Sequence, residues 1–166
     1  MRGECISMSS KTLCGWVRVA AVAVAVCFLL LLGFIIPVLG SDITAAYPEF
    51  KAWYLPWLAF LWAAALPCFV VLVFVWKVSA AIKNEEVFTL QTAKWIKNSA
   101  ILLFCDVGFF FAGNVVFLLL GMSHPGVLLS SLLVEVLGIA LALAAAVLAR
   151  YITKAALLQE ESDGTI

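Results

Sequence analysis

Three side chains in the second half of the chain carry chemistry that can operate inside hydrocarbon: Asp106, Asn114 and Glu135. Each sits in a long apolar run, where a carboxylate is costly and is either functional or specifically satisfied. Such an acid can carry a proton, bind a cationic substrate, or couple ion movement to transport. It can also simply fix helix register, and polar contacts of that kind contribute only about 0.6 kcal/mol on average in membrane bundles. Depth separates the three. At a rise of about 1.5 Å per residue, Asp106 lies roughly 12 Å from the end of its span, Glu135 roughly 21 Å and Asn114 roughly 24 Å from the same side. Glu135 therefore matches the Asn114 amide, which can donate to it. Asp106 stands apart, with Arg18 and Lys77 the basic side chains nearest its level. The expectation is two separate polar contacts and not a catalytic dyad.

Other chemistry finds little footing. His124 is the single histidine and falls in a turn, whereas a haem held between helices needs axial ligands within the spans. Ser130 and Ser131 have no histidine or lysine base within reach by topology. No Gly-rich phosphate loop or zinc signature occurs. The five cysteines (Cys5, Cys14, Cys27, Cys68 and Cys105) are odd in number and form no C-x-x-C, so they read as packing residues or free thiols. No catalytic residue, cofactor or metal is expected, and the chain is not expected to be an enzyme. Nor does any basic run or aromatic–basic interleaving point to direct nucleic-acid binding.

The elements that must position these groups follow from composition. Of the 166 residues, 66% are hydrophobic and 12% charged, too apolar for a soluble domain to cover its own surface. Four apolar runs, 16–39, 53–76, 98–120 and 127–149, are each long enough to cross a bilayer as a helix. The first exceeds the roughly 7–15 residues of a signal-peptide core, so it reads as a span and not as a cleaved leader. The fold expected is an all-α integral membrane protein, a single four-helix domain over residues 1–166. Residues 40–52 read as a polar loop, followed by Trp53, Tyr54 and Trp57 as an aromatic cluster at headgroup level. Pro67 falls mid-span, where it removes a helical hydrogen bond. Residues 77–97 form a connecting loop with a turn at 82–86, Thr89 as an N-cap and Trp95, with Lys94 and Lys97, as an interfacial anchor.

Nine of the ten basic residues (Arg2, Lys11, Arg18, Lys77, Lys83, Lys94, Lys97, Arg150 and Lys154) fall on one side of this threading, with only Lys51 opposite. The positive-inside rule then places both termini and the 77–97 loop in the cytosol. The last span has no breaker after residue 149, so it is expected to project into the cytosol as a helix over 150–166 with Leu148, Ile152, Ala155 and Leu158 at helical spacing. The end from Glu160 is expected to fray. Gly138, Ala142, Ala145, Ala146 and Ala149 share one face with Glu135, a small-residue stripe of the kind that lets backbones approach, within the chain or in a homodimer.

Two short stretches carry a resemblance. Ile82-Lys83-Asn84-Glu85-Glu86-Val87-Phe88-Thr89 is similar to the cytosolic turn before the third span of the bacterial membrane family called domain of unknown function 2975. Leu157-Leu158-Gln159-Glu160-Glu161-Ser162-Asp163-Gly164-Thr165-Ile166 resembles that family's ending of leucine, paired acids and Asp-Leu-Thr-Ile, with Gly164 in place of the usual Leu. The resemblance implies a four-helix protein of the bacterial inner membrane with no assigned activity, and a small helix-turn-helix regulator as the kind of cytosolic partner. Two functions are then open. One is a non-enzymatic membrane protein that docks such a partner through Phe88, Thr89, Trp95, Leu158, Glu160 and Glu161. The other is a small transporter or ion-coupled subunit that uses Asp106, Asn114 and Glu135 and is completed by a homodimer.

Overall fold

The computed structural model describes residues 10–84 and 86–163. Arg2, Cys5, Glu85 and the ending Gly164-Thr165-Ile166 lie outside them. The described residues are helices joined by short turns, with no strand among them. α1 (Ser10–Leu30) passes through a π turn (Leu31–Ile35) into α2 (Ile36–Ala46). A 3-10 segment (Pro48–Trp53) leads into α3 (Tyr54–Lys83), and α4 (Leu90–Leu119) and α5 (Pro125–Asp163) complete the chain. Four stretches are long and apolar enough to cross a membrane: Lys11–Ala46, Pro48–Lys83, Leu90–Leu119 and Pro125–Ser162.

Each helix outruns its apolar stretch. The loop expected at 40–52 is helical as far as Ala46, because Ser41 and Thr44 donate back to the Val38 and Ser41 carbonyls at 2.7 and 3.0 Å and satisfy their hydroxyls within the helix. The first real breaker is Pro48. Likewise, most of the expected 77–97 loop is helix, since α3 continues to Lys83 and α4 begins at Leu90. α5 runs through Arg150 without interruption and stays helical to Asp163, past the fraying expected from Glu160.

Local chemistry accounts for the ends. Thr89 caps α4 by accepting from the Thr92 amide at 3.2 Å, and the Thr92 hydroxyl donates on to the Glu86 carbonyl at 3.3 Å. At the other end of α4, Gly121 adopts φ +68°, the left-handed region open to glycine. Met122 N–H reaches Phe117 O at 2.9 Å and Gly121 N–H reaches Leu118 O at 3.0 Å, a Schellman closure that turns the chain toward α5.

The π turn has an identifiable cause. In its register Ile36 N–H bonds to Leu31 O, five residues back, and the next donor in line for Leu32 O is residue 37. That residue is proline and has no N–H. The Trp62 indole, on α3, donates to Leu32 O at 3.2 Å instead. A backbone carbonyl left bare in hydrocarbon costs several kcal/mol, so this side-chain donor stands in for the missing amide.

Helix pairs pack in chain order, α1 on α3, α3 on α4, and α4 on α5. Two of these seams close on glycine. The Phe60 ring of α3 occupies the space a Cβ on Gly113 would need, and it stacks on Phe110 with centroids 5.6 Å apart. On α5, Gly138 has Val107 Cγ2 within 2.7 Å of the position of a Cβ. The inward face of α5 is a continuous strip: Ser131, Glu135, Ala142, Ala149, Ile152 and Ala156 are all buried.

The helix expected beyond residue 149 forms; of Leu148, Ile152, Ala155 and Leu158, at helical spacing along it, only Ile152 is buried, with Ala149 and Ala156 on the same inward face. Of the small-residue face, Gly138 meets Val107 of α4 and Ala142 and Ala149 are buried, while Ala145 and Ala146 are partly exposed.

Removing the stand-in donor tests this account of the π turn. Trp62→Phe should lower stability in detergent by about 1–2 kcal/mol. In a Pro37→Ala background, where an amide is restored, the same change should cost less than half as much. Equal losses in both backgrounds, measured by thermal unfolding, would show that Trp62 acts only through packing.

Candidate functional site

Residues at matching depth on α3 and α4 meet in mid-bundle. Cys68 follows Pro67, which α3 accommodates without breaking. Counting inward from 76 and from 98, Cys68 and Asp106 are each roughly 12 Å from the same end. The Cys68 thiol donates to Asp106 Oδ2 at 3.5 Å, a long sulfur hydrogen bond. Asp106 Oδ1 is buried and has no hydrogen-bond partner among the described residues.

The basic side chains nearest Asp106 in depth are engaged elsewhere. Arg18 donates through Nε to Ser79 Oγ at 3.2 Å, and its guanidinium lies 5.0 Å from the Trp76 ring. Ser79, fully buried, also meets the Cys14 thiol at 3.2 Å, so one hydroxyl ties α1 to α3. Lys77 Nζ sits over Phe74 and Trp95, at 5.9 and 5.8 Å. Arginine and lysine here find aromatic faces and a hydroxyl closer to the membrane boundary, which costs less than carrying a second charge down to Asp106.

Glu135 is 7% exposed, on the α4–α5 seam. Asn114, also buried, is its side-chain hydrogen-bonding neighbour, and the same amide donates to the Phe110 carbonyl at 2.8 Å. Glu135 and Asn114 thus belong together, while Asp106 pairs with a thiol. Their separation is nonetheless incomplete. Asp106, Cys68 and Glu135 line one partly open cavity of about 390 Å³, walled elsewhere by apolar residues including Phe28, Phe110, Leu32 of the π turn and Leu141. Asn114 does not line it.

Chemically, the chamber offers two carboxyls and a thiol in a mostly apolar wall, a setting suited to holding a proton or one cationic group. Among the described residues no three His, Cys, Asp or Glu side chains gather as a metal site. Ser130 and Ser131 bond back to the Gly126 and Leu128 carbonyls at 2.9 and 2.8 Å. His124 stacks near Tyr47 and Phe50, with centroids 5.1 and 6.4 Å apart, and its Nδ1 accepts from the Gly126 amide at 3.1 Å, so it pins the turn before α5 to the 3-10 segment.

The residues named for docking sort into two groups. Thr89 is spent as a helix cap and Trp95 is half-buried beneath Lys77. Phe88, Leu158, Glu160 and Glu161 are exposed. The sequence reading missed Cys68, Ser79 and Trp62. The depth count that separates Asp106 from Glu135 also finds Cys68 when it is run along α3, whereas Ser79 and Trp62 gave no such signal.

Large apolar side chains such as Phe34, Leu55, Leu119 and Leu129 stand exposed along helices of spanning length, a surface that lipid and not water can cover. That surface, wrapped round a polar-bearing chamber, defines the class: a multi-pass membrane protein of four helices. The profile of the family described as "Protein of unknown function (DUF2975)" matches residues 38–166, and the chain belongs to that family. No curated protein and no solved structure matches the chain.

If Glu135 serves the seam by accepting from Asn114, its charge is dispensable there. Glu135→Gln should then change stability by less than about 0.6 kcal/mol, whereas Glu135→Ala, which strands the amide and opens the seam, should cost about 1–3 kcal/mol. Denaturation in detergent reads both. A loss for Gln as large as for Ala would show that the seam requires the carboxylate itself.

Proposed function

We propose that this chain is a non-enzymatic protein of the bacterial inner membrane, with both termini cytosolic, whose α4–α5 extension docks a cytosolic partner. The observation that carries the reading is the shape of that extension. Beyond Arg150, α5 continues for three and more turns, held on α4 by Ile96, Ile152 and Ala156. On its opposite face Tyr151 and Leu158, two turns apart, are 68% and 65% exposed. Within a bilayer such exposure is ordinary, but past the apolar run of the span it is a surface for another protein. Phe88, exposed in the turn before α4, adds an apolar group at the same end. The orientation is supported by the nine-to-one division of basic residues. A small helix-turn-helix regulator is the partner the family resemblance implies.

Ile152 and Ala156 are core residues, so deleting the extension would damage the fold. Tyr151→Lys with Leu158→Lys changes only the outer face. Affinity purification of the tagged full chain from its native membranes should recover a helix-turn-helix protein, and the double variant should lose it while melting like the parent. Equal recovery from both, or no such protein with either, counts against docking. A periplasm-active reporter should be silent when fused after residue 166 and active when fused within 121–124, and the reverse pattern would overturn the orientation.

A second reading is favoured by the cavity: a small transporter or ion-coupled subunit using Asp106 and Glu135, with Asn114 as a support. In proteoliposomes carrying a pH gradient, the parent should dissipate it faster than Asp106→Asn or empty vesicles. Vesicles with the parent as tight as empty ones would end this reading.

A further inference from the structure

A groove of about 430 Å³ runs along the outside of the α4–α5 seam at its basic end. Its mouth is flanked by Lys97 of α4 and by Arg150 and Lys154 of α5. Its inner part, toward the middle of the span, is lined by Ile101, Phe104 and Ala146. From Lys97 to Phe104 is seven residues, roughly 10 Å of helix, so one groove joins the membrane boundary to the hydrocarbon. Its floor is Ala100 and Ala149, both buried. Small residues that let the two helices approach also leave the space above them empty.

We propose that this groove is a binding site for an anionic phospholipid, with a two-phosphate headgroup of the cardiolipin type as the best match. Three cations converge on the mouth, and no acidic side chain lines the groove. Among the described residues none of the three forms an ion pair, so their charge is available to a ligand. Arg150 can hold a phosphate through paired N–H donors, and Lys97 and Lys154 add point charges on either side. A free phosphate or a nucleotide would use the mouth and leave Ile101 and Phe104 uncovered. An acyl chain covers them. Basic pockets between helices at a membrane boundary are a recognised form of headgroup site. A neutral lipid would fill the apolar part but leave three unpaired cations. The inference rests on membrane embedding alone, and neither the docking surface around Tyr151 and Leu158 nor the Asp106 cavity enters it.

The test uses the full chain in phosphatidylcholine nanodiscs, alone or doped with cardiolipin or with phosphatidylglycerol. Lipid retained after delipidating washes is quantified by mass spectrometry, and melting is followed in parallel. The parent should retain cardiolipin over phosphatidylcholine by roughly tenfold or more and melt higher in its presence. Lys97→Gln with Arg150→Gln and Lys154→Gln should lose both effects. Ala146→Phe, which fills the groove and keeps every charge, should lose retention as well. Added inorganic pyrophosphate should compete only weakly, because it lacks the chains.

Three outcomes overturn the proposal. Retention unchanged in the charge variant would remove the headgroup contact. Full retention in Ala146→Phe would show diffuse attraction of anionic lipid to a basic rim, with no groove involved. Pyrophosphate binding as tightly as cardiolipin would make the site one for soluble anions. If any variant fails to fold, the parent alone still decides, since equal retention of cardiolipin and phosphatidylcholine defeats the idea.

Discussion

The structure depends on how closely α4 and α5 approach. Between helices in lipid there is no hydrophobic gain, because the acyl chains are as apolar as leucine. What remains is van der Waals contact at short range, and that requires small residues at the interface. Gly138 lets the Val107 side chain into the space of a Cβ, and Ala142 and Ala149 continue the contact along the same face. The strip does not stop where the apolar run does. Ile152 packs with Ala93 and Ile96 beyond it, and Ala156 is buried a turn further on, so packing that starts within the membrane-spanning part carries a helical hairpin out of it. There the contact gains the ordinary hydrophobic contribution that lipid denies it. One seam therefore works by two different forces along its length.

The other seams are looser, and the looseness makes space. α1 packs on α3 and α5 on α4, and the cavity around Asp106 and Glu135 draws its walls from all of them, with Phe28 and Leu32 on one side and Val134 and Leu137 on another. Irregular backbone gathers at the same place. The π turn supplies Leu32, and Pro67 precedes Cys68. Each irregularity frees a backbone group that must be satisfied internally in lipid, and the Trp62 indole shows one such repair. Breaks in helical regularity beside a chamber, in a chain with few polar side chains to spare, mark the part of the bundle least explained by packing alone.

The large features were legible in the sequence because they rest on free energies that sum over many residues. Twenty apolar residues in a row leave no alternative to a spanning helix, and four such runs with short connections leave few alternatives to a bundle. The Thr89 cap and the Gly121 turn were legible too, since each depends on chemistry within one turn of the chain. Helix ends were not. Ser41 and Thr44 read as loop residues by polarity, yet each closes a bond within its own helix. On α5 the spacing of Leu148, Ile152, Ala155 and Leu158 fits the helix that forms, but only Ile152 of the four is buried, because hydrophobicity alone cannot tell an outward-facing leucine from a buried one.

The polar sites show the same limit from another direction. Glu135 and Asn114 come to similar depth because both sit on adjacent antiparallel helices of one hairpin, where rise per residue fixes relative height. Arg18 and Lys77, the basic side chains nearest Asp106 in depth, do not pair with it, because carrying a cation inward costs more than charge complementarity returns. Arg18 lies over Trp76 and bonds to Ser79, and Lys77 lies over Phe74 and Trp95, so both cations remain where aromatic faces and the membrane boundary can serve them. Asp106 is left with a thiol, a weak donor, and one oxygen without a partner. Ser79, Asn114 and the Leu32 carbonyl beside Pro37 all find partners, whereas Asp106 Oδ1 has none among the described residues.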